Sequence, residues 1–383
     1  MSSIKNTQVL YSEYNEVAPI GLIAMRGTEE LASRINGYLT RWADRYGKPV
    51  HDYLIEAECP RFSSGDAKGI IKSTVRGKDL FILVDVGNYS CKYKLFDSEN
   101  YMSPDDHYAD LKRIIQATSG KSHRINVIMP LLYGGRQHRR SYRESLDCAF
   151  MLQELHNMGV SNVITVDAHD PRVCNAIPLM GFDNVIPSYQ VLKTMFAAFP
   201  DLVIDKDKFM IISPDEGALN RNMFYASMLE VEMGMFYKRR DYSTIVNGRN
   251  PIVAHEYLGT SVEDKTVFVA DDIISSGDSM LDIAKELKKR HAKRFFAYAT
   301  YGIFTNGLAA FDKAYEEGMI DAVFSTNLTY RTPELMKRPW YKEVDVSKYI
   351  AYFIASLNHD TSISVVMDPN EKIKALLREH KGL

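Results

Sequence analysis

The 383-residue chain is long enough for two domains, each with its own hydrophobic core. Hydrophobic residues make up 45% of the sequence and charged residues 25%, a balance that indicates a globular protein and argues against a disordered or fibrous one. The formal net charge of -2 excludes a globally basic surface for nucleic acid or anionic membrane. Any site for an anion must therefore be local.

The distribution of apolar residues and cysteines predicts a cytoplasmic protein. The first residues contain no apolar core of signal-peptide length, and no apolar run is long enough to span a bilayer. The four cysteines, Cys59, Cys91, Cys148 and Cys174, are widely spaced and form no Cys-x-x-Cys motif. This spacing indicates reduced thiols and no disulfide framework or zinc site.

Short apolar runs alternate with amphipathic helical patterns, which predicts an α/β fold with mostly parallel sheets. The predicted strands are residues 21–25, 80–86, 125–129, 162–166, 209–212, 266–270, 294–300 and 322–326. Thr28 is expected to cap a helix whose apolar stripe runs from Leu31 to Trp42. Ser141 and Glu144 form a capping-box pattern before a second helix, and a third is predicted from Ser279 onward.

Two polar segments interrupt the alternation of strands and helices. Residues 87–107 are expected to form a loop or small hairpin, and residues 239–263 a long loop that begins with a basic run. Long loops in compact domains are often functional.

A domain boundary is predicted near Ser188, after the fourth strand unit. The N-terminal domain would span residues 1–188 and the C-terminal domain residues 189–344. Residues 345–383 are expected to pack back on the N-terminal domain.

The segment from Val267 to Ser279 predicts a site for a phosphorylated sugar. An apolar strand pattern leads into Asp271 and Asp272, and a loop of serines and glycine precedes a helix. Ligands of open α/β sheets lie at the carboxyl ends of strands, where carboxylates can bind sugar hydroxyls and helix-start N–H groups can hold phosphate. An ordinary helix N-cap is the alternative, but two carboxylates with three serines favour a ligand site.

Two more strand ends carry acidic groups. Asp167, His169 and Asp170 follow the strand at 162–166 and suit a metal–phosphate complex, because Mg²⁺ needs only one or two protein ligands besides substrate phosphates and water. Asp215 begins a run of small residues that suits a diphosphate pocket. A plain turn is the alternative at both places.

Two basic segments complete the set. Lys238, Arg239 and Arg240 open the second polar segment, and residues 134–140 combine two glycines with Arg136. Cations on a loop can close over a transferring phosphoryl group, and glycines allow close approach of the backbone to a ligand. A solvated basic surface is the alternative for each. The sequence contains no Walker A, protein-kinase or Gly-x-Ser-x-Gly motif, so a nucleotide must be bound in another way.

In chain order, these segments resemble the ribose-phosphate diphosphokinases, or phosphoribosyl pyrophosphate (PRPP) synthetases, over residues 21–364. The matching segments are Arg61-Phe62-Ser63-Ser64-Gly65-Asp66, Val75-Arg76-Gly77-Lys78-Asp79, Arg136-Gln137, Asp167-Ala168-His169, Ser213-Pro214-Asp215, Lys238 with Arg240, Asp271-Asp272, Thr300-Tyr301-Gly302-Ile303-Phe304 and Thr326-Asn327. Each segment is short, and the specificity lies in their order.

The resemblance implies two phosphoribosyltransferase-type, Rossmann-like domains with mostly parallel sheets and an active site between them. It also implies a homo-oligomer in which dimers assemble into a hexamer. The implied reaction transfers the β,γ-diphosphoryl group of ATP to the C1 hydroxyl of ribose 5-phosphate and gives PRPP and AMP.

The resemblance also implies a role for each matching residue. The implied catalytic residues are Lys238 and Arg240. The implied ATP-binding residues are Phe62, Ser64, Asp66, Arg136, Gln137 and His169, with Phe62 reaching the adenine of a neighbouring subunit. The implied diphosphate loop is Asp215, Glu216 and Gly217, and the implied Mg²⁺ ligands are Asp167, His169 and Asp215. The implied ribose-phosphate site is Asp271, Asp272, Ser275, Ser276, Gly277, Asp278 and Ser279.

The ribose-phosphate loop departs from the family pattern Asp-Asp-x-x-Asp-Thr-x-Gly-Thr. Ser275 replaces the third Asp, and Asp278 replaces the Gly. A carboxylate at this place repels a terminal phosphate strongly, because that phosphate carries close to two negative charges. It repels a phosphate within a larger acceptor such as ADP-ribose less, because that phosphate carries one. If Asp278 instead faces solvent, ribose 5-phosphate fits, and we favour this reading.

Two other functions fit parts of the sequence. A non-catalytic regulatory paralogue would not need Lys238, Arg240 and the two strand-end acidic sites. A phosphoribosyltransferase that consumes PRPP would need only one such domain and would leave the ATP-side segments unexplained.

Overall fold

The computed structural model describes residue 8, residues 10–240 and residues 252–382, and the side chains of residues 238–240 and 252–255 lie outside the description. No helix within these ranges combines the length and the apolar character needed to cross a membrane. The strands are β1 (Ile20–Ala24), β2 (Ala57–Glu58), β3 (Ile70–Ile71), β4 (Asp79–Leu83), β5 (Lys92–Leu95), β6 (Ser98–Tyr101), β7 (Arg124–Ile128), β8 (Asn162–Val166), β9 (Gly181–Val185), β10 (Phe209–Ser213), β11 (Glu232–Arg240), β12 (Ile252–Leu258), β13 (Thr266–Ile274), β14 (Arg294–Gly302), β15 (Ala322–Thr326) and β16 (Tyr341–Val344). The α-helices are α1 (Glu29–Arg45), α2 (Pro104–Ala117), α3 (Asp147–Asn157), α4 (Ser188–Ala198), α5 (Leu219–Leu229), α6 (Asp278–Lys289), α7 (Ala309–Glu316), α8 (Pro333–Met336), α9 (Ser347–Asn358), α10 (Ser364–Met367) and α11 (Asn370–His380).

The chain divides into two compact units. The first comprises Met1–Pro187, Asn327–Tyr330 and Asp345–Asp368, and the second comprises Ser188–Thr326, Arg331–Val344 and Pro369–Leu383. The last segment differs from the expectation that all of residues 345–383 pack on the N-terminal domain. It belongs to the second unit because α11 packs on α4 and α5 there, with His380 stacked on Phe196 at 4.2 Å between ring centroids.

The first unit is built on a parallel five-stranded sheet in the order β1-β4-β7-β8-β9. Every residue of β4 and of β8 is buried, as expected for strands covered on both faces. Their side chains join α2 and α3 in a core that includes Leu80, Ile82, Val127 and Leu152. Parallel order places the loops after β7 and β8 at the same edge of the sheet.

The second unit is built on a seven-stranded sheet in the order β12-β11-β10-β13-β14-β15-β16. All neighbours in this sheet are parallel except β11 and β12, which form an antiparallel pair at one edge. The central strands β10 and β13 are adjacent, so the loops that follow them open at the same edge. The α/β fold with mostly parallel sheets is therefore confirmed.

All of the predicted strands are present, and the expectations for the two polar segments change. Residues 87–107 contain the predicted hairpin, β5 and β6, but also the start of α2, where Ser103 and Asp106 form a capping box. Residues 239–263 include the end of β11 and all of β12, while residues 241–251 of that predicted loop lie outside the described part.

Two predicted helix caps are wrong in detail. Thr28 precedes α1, but its hydroxyl donates to the carbonyl oxygens of Met25 and Leu83, at 2.7 and 3.2 Å, and makes no capping bond. Helix α3 begins only at Asp147, so the Ser141 and Glu144 pattern lies in the preceding loop.

Candidate active site

The acidic pair Asp271 and Asp272 lies within β13 and not after it. The strand continues through Ile274 because Asp271 and Ile273 still pair with β14. Asp272 is buried, and its N–H donates to Oδ1 of Asp271 at 2.9 Å. Two carboxylates are thus held on adjacent residues of a rigid strand at the carboxyl end of the sheet.

Electrostatics at Asp271 are unusual. Burial, and then repulsion from Asp272, raise the pKa of the Asp271 carboxyl well above its usual range, and Asp215 raises it further. Arg221 opposes the shift, with Nη1 at 3.7 Å from Oδ1 of Asp271. A carboxyl in such a place is suited to bind hydroxyl groups and cations, because both relieve its buried charge.

The predicted phosphate loop is the short turn between β13 and α6. Gly277 occupies the N-cap of α6 with φ +93°, a left-handed conformation that suits glycine. A Cβ at this position would overlap the ring of Phe311. Ser275 and Ser276 are partly exposed, and Asp278 and Ser279 are exposed in the first turn of the helix. The N–H groups of this helix start form a suitable place for a phosphate, and that of Asp278 points to Oγ of Ser276 at 3.4 Å.

The predicted diphosphate loop follows β10. Glu216 and Gly217 are exposed, and Oδ1 of Asp215 accepts a hydrogen bond from the N–H of Ala218 at 3.2 Å. The hydroxyl of Ser213 donates to the carbonyl oxygen of Asp215 at 2.7 Å, which closes the loop. Because β10 and β13 are adjacent parallel strands, Asp215 lies at the same edge of the sheet as the acidic pair, and its charge adds to the raised pKa of Asp271.

Two residues near this loop were not predicted from the sequence. The buried amide of Asn222 on α5 donates to the carbonyl oxygens of Ala218 and Ala270, both at 2.8 Å, and accepts from the N–H of Ala270 at 3.1 Å. It therefore ties the diphosphate loop to the start of the acidic pair. Arg221, on the same helix, supplies the cation beside Asp271. A sequence signal was present, since both residues follow the Asp215 loop within one helical turn.

In the first unit, Asp167 directly follows β8. Its side chain is buried and its φ is +51°, a conformation that costs free energy for a non-glycine residue and that clusters at functional sites. His169 is exposed, and its ring lies 5.3 Å from the ring of His138. The Asp170 carboxylate is engaged elsewhere, because it caps the following 3₁₀ helix and pairs with Arg172. This pairing lowers the pKa of Asp170 to about 2.

Arg136 and Gln137 lie in the turn after β7. Arg136 is exposed, whereas the amide of Gln137 donates to the carbonyl oxygen of Ser145 at 2.9 Å. Gly134 has φ +65°, and its carbonyl oxygen accepts a hydrogen bond from the N–H of Gln137 at 2.7 Å. Because β7 and β8 are neighbours, this turn and Asp167 lie at the same edge of the sheet.

Phe62, Ser64 and Asp66 form a tight turn of their own. The N–H of Phe62 donates to the carbonyl oxygen of Asp66 at 2.7 Å, and the hydroxyl of Ser64 donates to Oδ2 of Asp66 at 2.9 Å. The ring of Phe62 is 55% exposed, which excludes the core position that is the alternative for a phenylalanine.

Two family models match most of this fold. A model of the N-terminal domain of ribose phosphate pyrophosphokinase matches residues 20–159, and a model of the phosphoribosyl transferase domain matches residues 189–323. Together they cover more than half of the chain, in the order of the two units. This chain belongs to the ribose-phosphate pyrophosphokinase family.

Several members of the family are similar over nearly their whole length. The ribose-phosphate pyrophosphokinase of Vibrio vulnificus is 28% identical over 91% of this chain and 98% of its own. That of Mycoplasma pneumoniae is 26% identical over 80% of this chain and 85% of its own. The crystal structure of phosphoribosylpyrophosphate synthetase from Mycobacterium smegmatis superimposes with a TM-score of 0.71 at 19% identity, over 89% of this chain and 99% of that one, which shows the same fold.

For Lys238 and Arg240, the catalytic cations that the family resemblance implies, the structure describes the backbone alone. Lys238 and Arg240 lie in β11, where Lys238 pairs with His255 and Arg240 with Ile252 across a bulge in the register. Their side chains lie outside the described residues. Both positions lie near the end of the strand, immediately before residues 241–251.

The donor groups of the predicted metal ligands bear on whether they fit Mg²⁺. Across residues 8, 10–240 and 252–382, no group of three or more His, Cys, Asp or Glu side chains is arranged to hold a metal ion. Mg²⁺ does not need such a cage, because it commonly takes one or two carboxylates and fills its octahedron with water and substrate phosphates. The buried carboxylate of Asp167 in the first unit and the carboxylate of Asp215 in the second are each an oxygen donor of this kind, so each residue by itself fits Mg²⁺.

Proposed function

We propose that this chain transfers the β,γ-diphosphoryl group of ATP to the C1 hydroxyl of ribose 5-phosphate. The observation that carries the proposal is the pair Asp271 and Asp272 at the carboxyl end of β13, followed at once by the α6 helix start. This arrangement supports the proposal because it offers carboxylates for sugar hydroxyls and, a few residues later, helix-start N–H groups for the 5-phosphate. Kinship with the ribose-phosphate pyrophosphokinases supports the same reaction.

The reaction needs no covalent intermediate on the enzyme. The C1 oxygen bonds to the β-phosphorus of ATP and loses its proton, the bond from that phosphorus to the α,β-bridging oxygen breaks, and AMP leaves with this oxygen. Positioning and neutralisation of charge supply the catalysis in such a transfer. Asp271 and Asp272 would accept hydrogen bonds from the ribose hydroxyls, and Ser275, Ser276, Gly277 and Ser279 would hold the phosphate.

The triphosphate would be bound by the remaining predicted residues. Asp167, His169 and Asp215 would hold Mg²⁺, which neutralises phosphate charge and orients the diphosphoryl group when bound. Asp215, Glu216 and Gly217 would line the diphosphate. Lys238 and Arg240 would stabilise the charge that develops during the transfer.

The nucleoside part of ATP would be bound by Phe62, Ser64, Asp66, Arg136, Gln137 and His169. The exposed ring of Phe62 supports stacking on adenine, since an aromatic side chain gains by covering an exposed face with a flat base. We also propose a homo-oligomer of dimers, up to a hexamer, in which Phe62 serves the adenine of a neighbour. ATP as substrate supports a cytoplasmic location.

The acceptor is best tested directly, because Asp278 bears on it. The carboxylate of Asp278 is exposed at the first position of α6, where a negative charge is favoured by the helix dipole. This exposure supports ribose 5-phosphate, since the carboxylate can face solvent while the N–H groups bind phosphate. ADP-ribose, in which the phosphate carries less charge, is the acceptor that would compete if Asp278 faces the ligand.

The experiment is an acceptor panel with ATP and Mg²⁺, in which AMP release and product mass are measured for ribose 5-phosphate and for ADP-ribose. We expect AMP and PRPP with ribose 5-phosphate, and no AMP from an Asp271→Asn, Asp272→Asn double variant. A preference for ADP-ribose would overturn ribose 5-phosphate as the acceptor, while the proposed diphosphoryl transfer from ATP would stand. If folded protein releases no AMP with either acceptor, a regulatory paralogue is favoured instead.

A further inference from the structure

The hairpin of β5 and β6 is not used by any step proposed so far. Its two-residue turn is Phe96-Asp97, with φ values of +46° and +59°. Such left-handed turns strongly favour Asn-Gly or Asp-Gly, and a bulky residue pays a steric penalty there. Phe96 nevertheless occupies the turn, and its ring is 80% exposed. Neither the backbone nor the packing of the hairpin benefits from this phenylalanine.

The hairpin lies directly against the turn that carries Phe62. The N–H of Phe96 points to the carbonyl oxygen of Ser63 at 3.4 Å. Leu95 occupies the space in front of Gly65, where an added Cβ would lie 2.6 Å from its Cδ1. At the base, the guanidinium of Arg61 lies over the ring of Tyr93, 5.0 Å from its centroid. Two contacts near the tip and one at the base therefore hold the hairpin beside the Phe62 turn.

Phe62 and Phe96 are thus two exposed aromatic rings on adjacent turns. Neither ring stacks on another ring within the described residues. A single exposed apolar residue needs no explanation, but two on adjoining tips, one of them in a strained conformation, indicate a binding role. A flat aromatic ligand gains free energy from such rings, and ATP offers adenine.

We propose that Phe96 contributes a second apolar surface for the adenine of ATP beside Phe62, and that the β5–β6 hairpin holds it there. The inference rests on the proposed function, since it assigns Phe62 to ATP. Alanine substitution of an aromatic ring that stacks on a base costs binding by about five- to a hundredfold. Phe96 therefore strengthens binding of the nucleobase and has no role toward the phosphates.

The test separates base binding from folding by the choice of substitution. Asn favours the left-handed conformation of the turn, so Phe96→Asn should leave the hairpin at least as stable as in the parent. Phe150→Asn is the matched control, because Phe150 is 70% exposed on α3, outside the proposed site. Binding is measured by calorimetry with two probes, ATP and inorganic tripolyphosphate, each with Mg²⁺ and without acceptor. Steady-state rates with ribose 5-phosphate are measured in parallel.

We expect Phe96→Asn to weaken ATP binding and raise KM for ATP by at least fivefold, with tripolyphosphate affinity and kcat close to those of the parent. Phe150→Asn should change neither. Parental affinity for ATP in Phe96→Asn would overturn the proposal, and so would an equal loss for both probes. Dissociation of the oligomer in light scattering with unchanged ATP affinity would also overturn it, in favour of a subunit contact. If the parent binds ATP in a Phe96-dependent way but releases no AMP, the proposed function fails and this inference stands.

Discussion

Arg61 and Asp110 form a buried ion pair with two parallel hydrogen bonds. Nη1 of Arg61 lies 2.6 Å from Oδ1 of Asp110, and Nη2 lies 3.0 Å from Oδ2. Both side chains are less than a tenth exposed, and Arg113 donates a further hydrogen bond to Oδ1. The pair joins the start of the Phe62 turn to α2, so the proposed adenine contact depends on a fixed point in the core of the first unit.

Asp110→Ala should destabilise the first unit by about 3–5 kcal/mol, because the buried Arg61 guanidinium is left without its carboxylate. We expect a smaller loss for Arg61→Ala, because Arg113 still pairs with Asp110. Trp42 on α1 belongs to the first unit and Trp340 to the second. Urea unfolding followed by fluorescence in a Trp340→Phe background therefore reports on the first unit.

The control is the double variant Arg61→Met, Asp110→Leu, which replaces both charges by apolar groups of similar size. Such replacements are often neutral or stabilising, so this protein should be closer to the parent than either single variant. Single-variant losses that simply add in the double variant would show that the two side chains act independently.

The start of α6 makes a second prediction. Gly277→Ala should destabilise the second unit by about 1–3 kcal/mol or more, because alanine is strained at φ +93° and its Cβ overlaps Phe311. It should also raise KM for ribose 5-phosphate, since the phosphate loop must move. Unfolding followed by Trp340 fluorescence in a Trp42→Phe background, together with steady-state rates, measures both effects.

Gly307→Ala separates strain from overlap. Gly307 has φ +79°, and an added Cβ would have no neighbour within 4 Å. This variant should lose only the strain contribution, about 1 kcal/mol, and keep its KM. Equal losses in both variants would show that contact with Phe311 does not matter.

Periodicity predicted eight strands of the two large sheets and missed β9, β11, β12 and β16. Strands β4, β8, β10 and β15 are buried at every residue and mostly apolar, which is the pattern of parallel strands covered on both faces. The edge strand β9, Gly-Phe-Asp-Asn-Val, was not predicted, because a half-exposed strand with glycine and asparagine has neither pattern. The cap predicted at Thr28 was wrong for a different reason. The Thr28 hydroxyl donates to a carbonyl oxygen that is distant in sequence, that of Leu83, and local sequence cannot reveal this bond.

The candidate site was predictable where its residues are adjacent in sequence. Asp271 with Asp272 and Asp167 with His169 are visible as pairs, whereas the ties made by Asn222 and Arg221 depend on how α5 packs against β13. The same holds for Arg61 and Asp110, which no local pattern connects.

The ionised carboxylate of Asp271 should destabilise the folded protein, because it is held beside Asp272. Its raised pKa means that the folded state binds the proton more tightly than the unfolded chain. Its contribution is therefore favourable at low pH and is lost as pH rises through the raised pKa. Asp271→Asn should be more stable than the parent at pH 8, with a difference that shrinks toward pH 4, while KM for ribose 5-phosphate rises by about tenfold or more as a charged acceptor is lost. Urea unfolding across this pH range and steady-state rates measure the two effects, and a gain that grows toward low pH would contradict the assignment.

Lys238 should matter for the chemical step and little for folding. Removal of a cation that acts only on the developing charge costs about 3–4 kcal/mol, so Lys238→Ala should lower kcat by about a hundredfold or more. The matched control is Lys289→Ala, since Lys289 is exposed in the last turn of α6 and should leave kcat unchanged. AMP release at saturating ATP and ribose 5-phosphate gives kcat, and urea unfolding confirms that both variants fold. Near-parental turnover in Lys238→Ala would remove Lys238 from the catalytic residues and leave Arg240 as the cation to test.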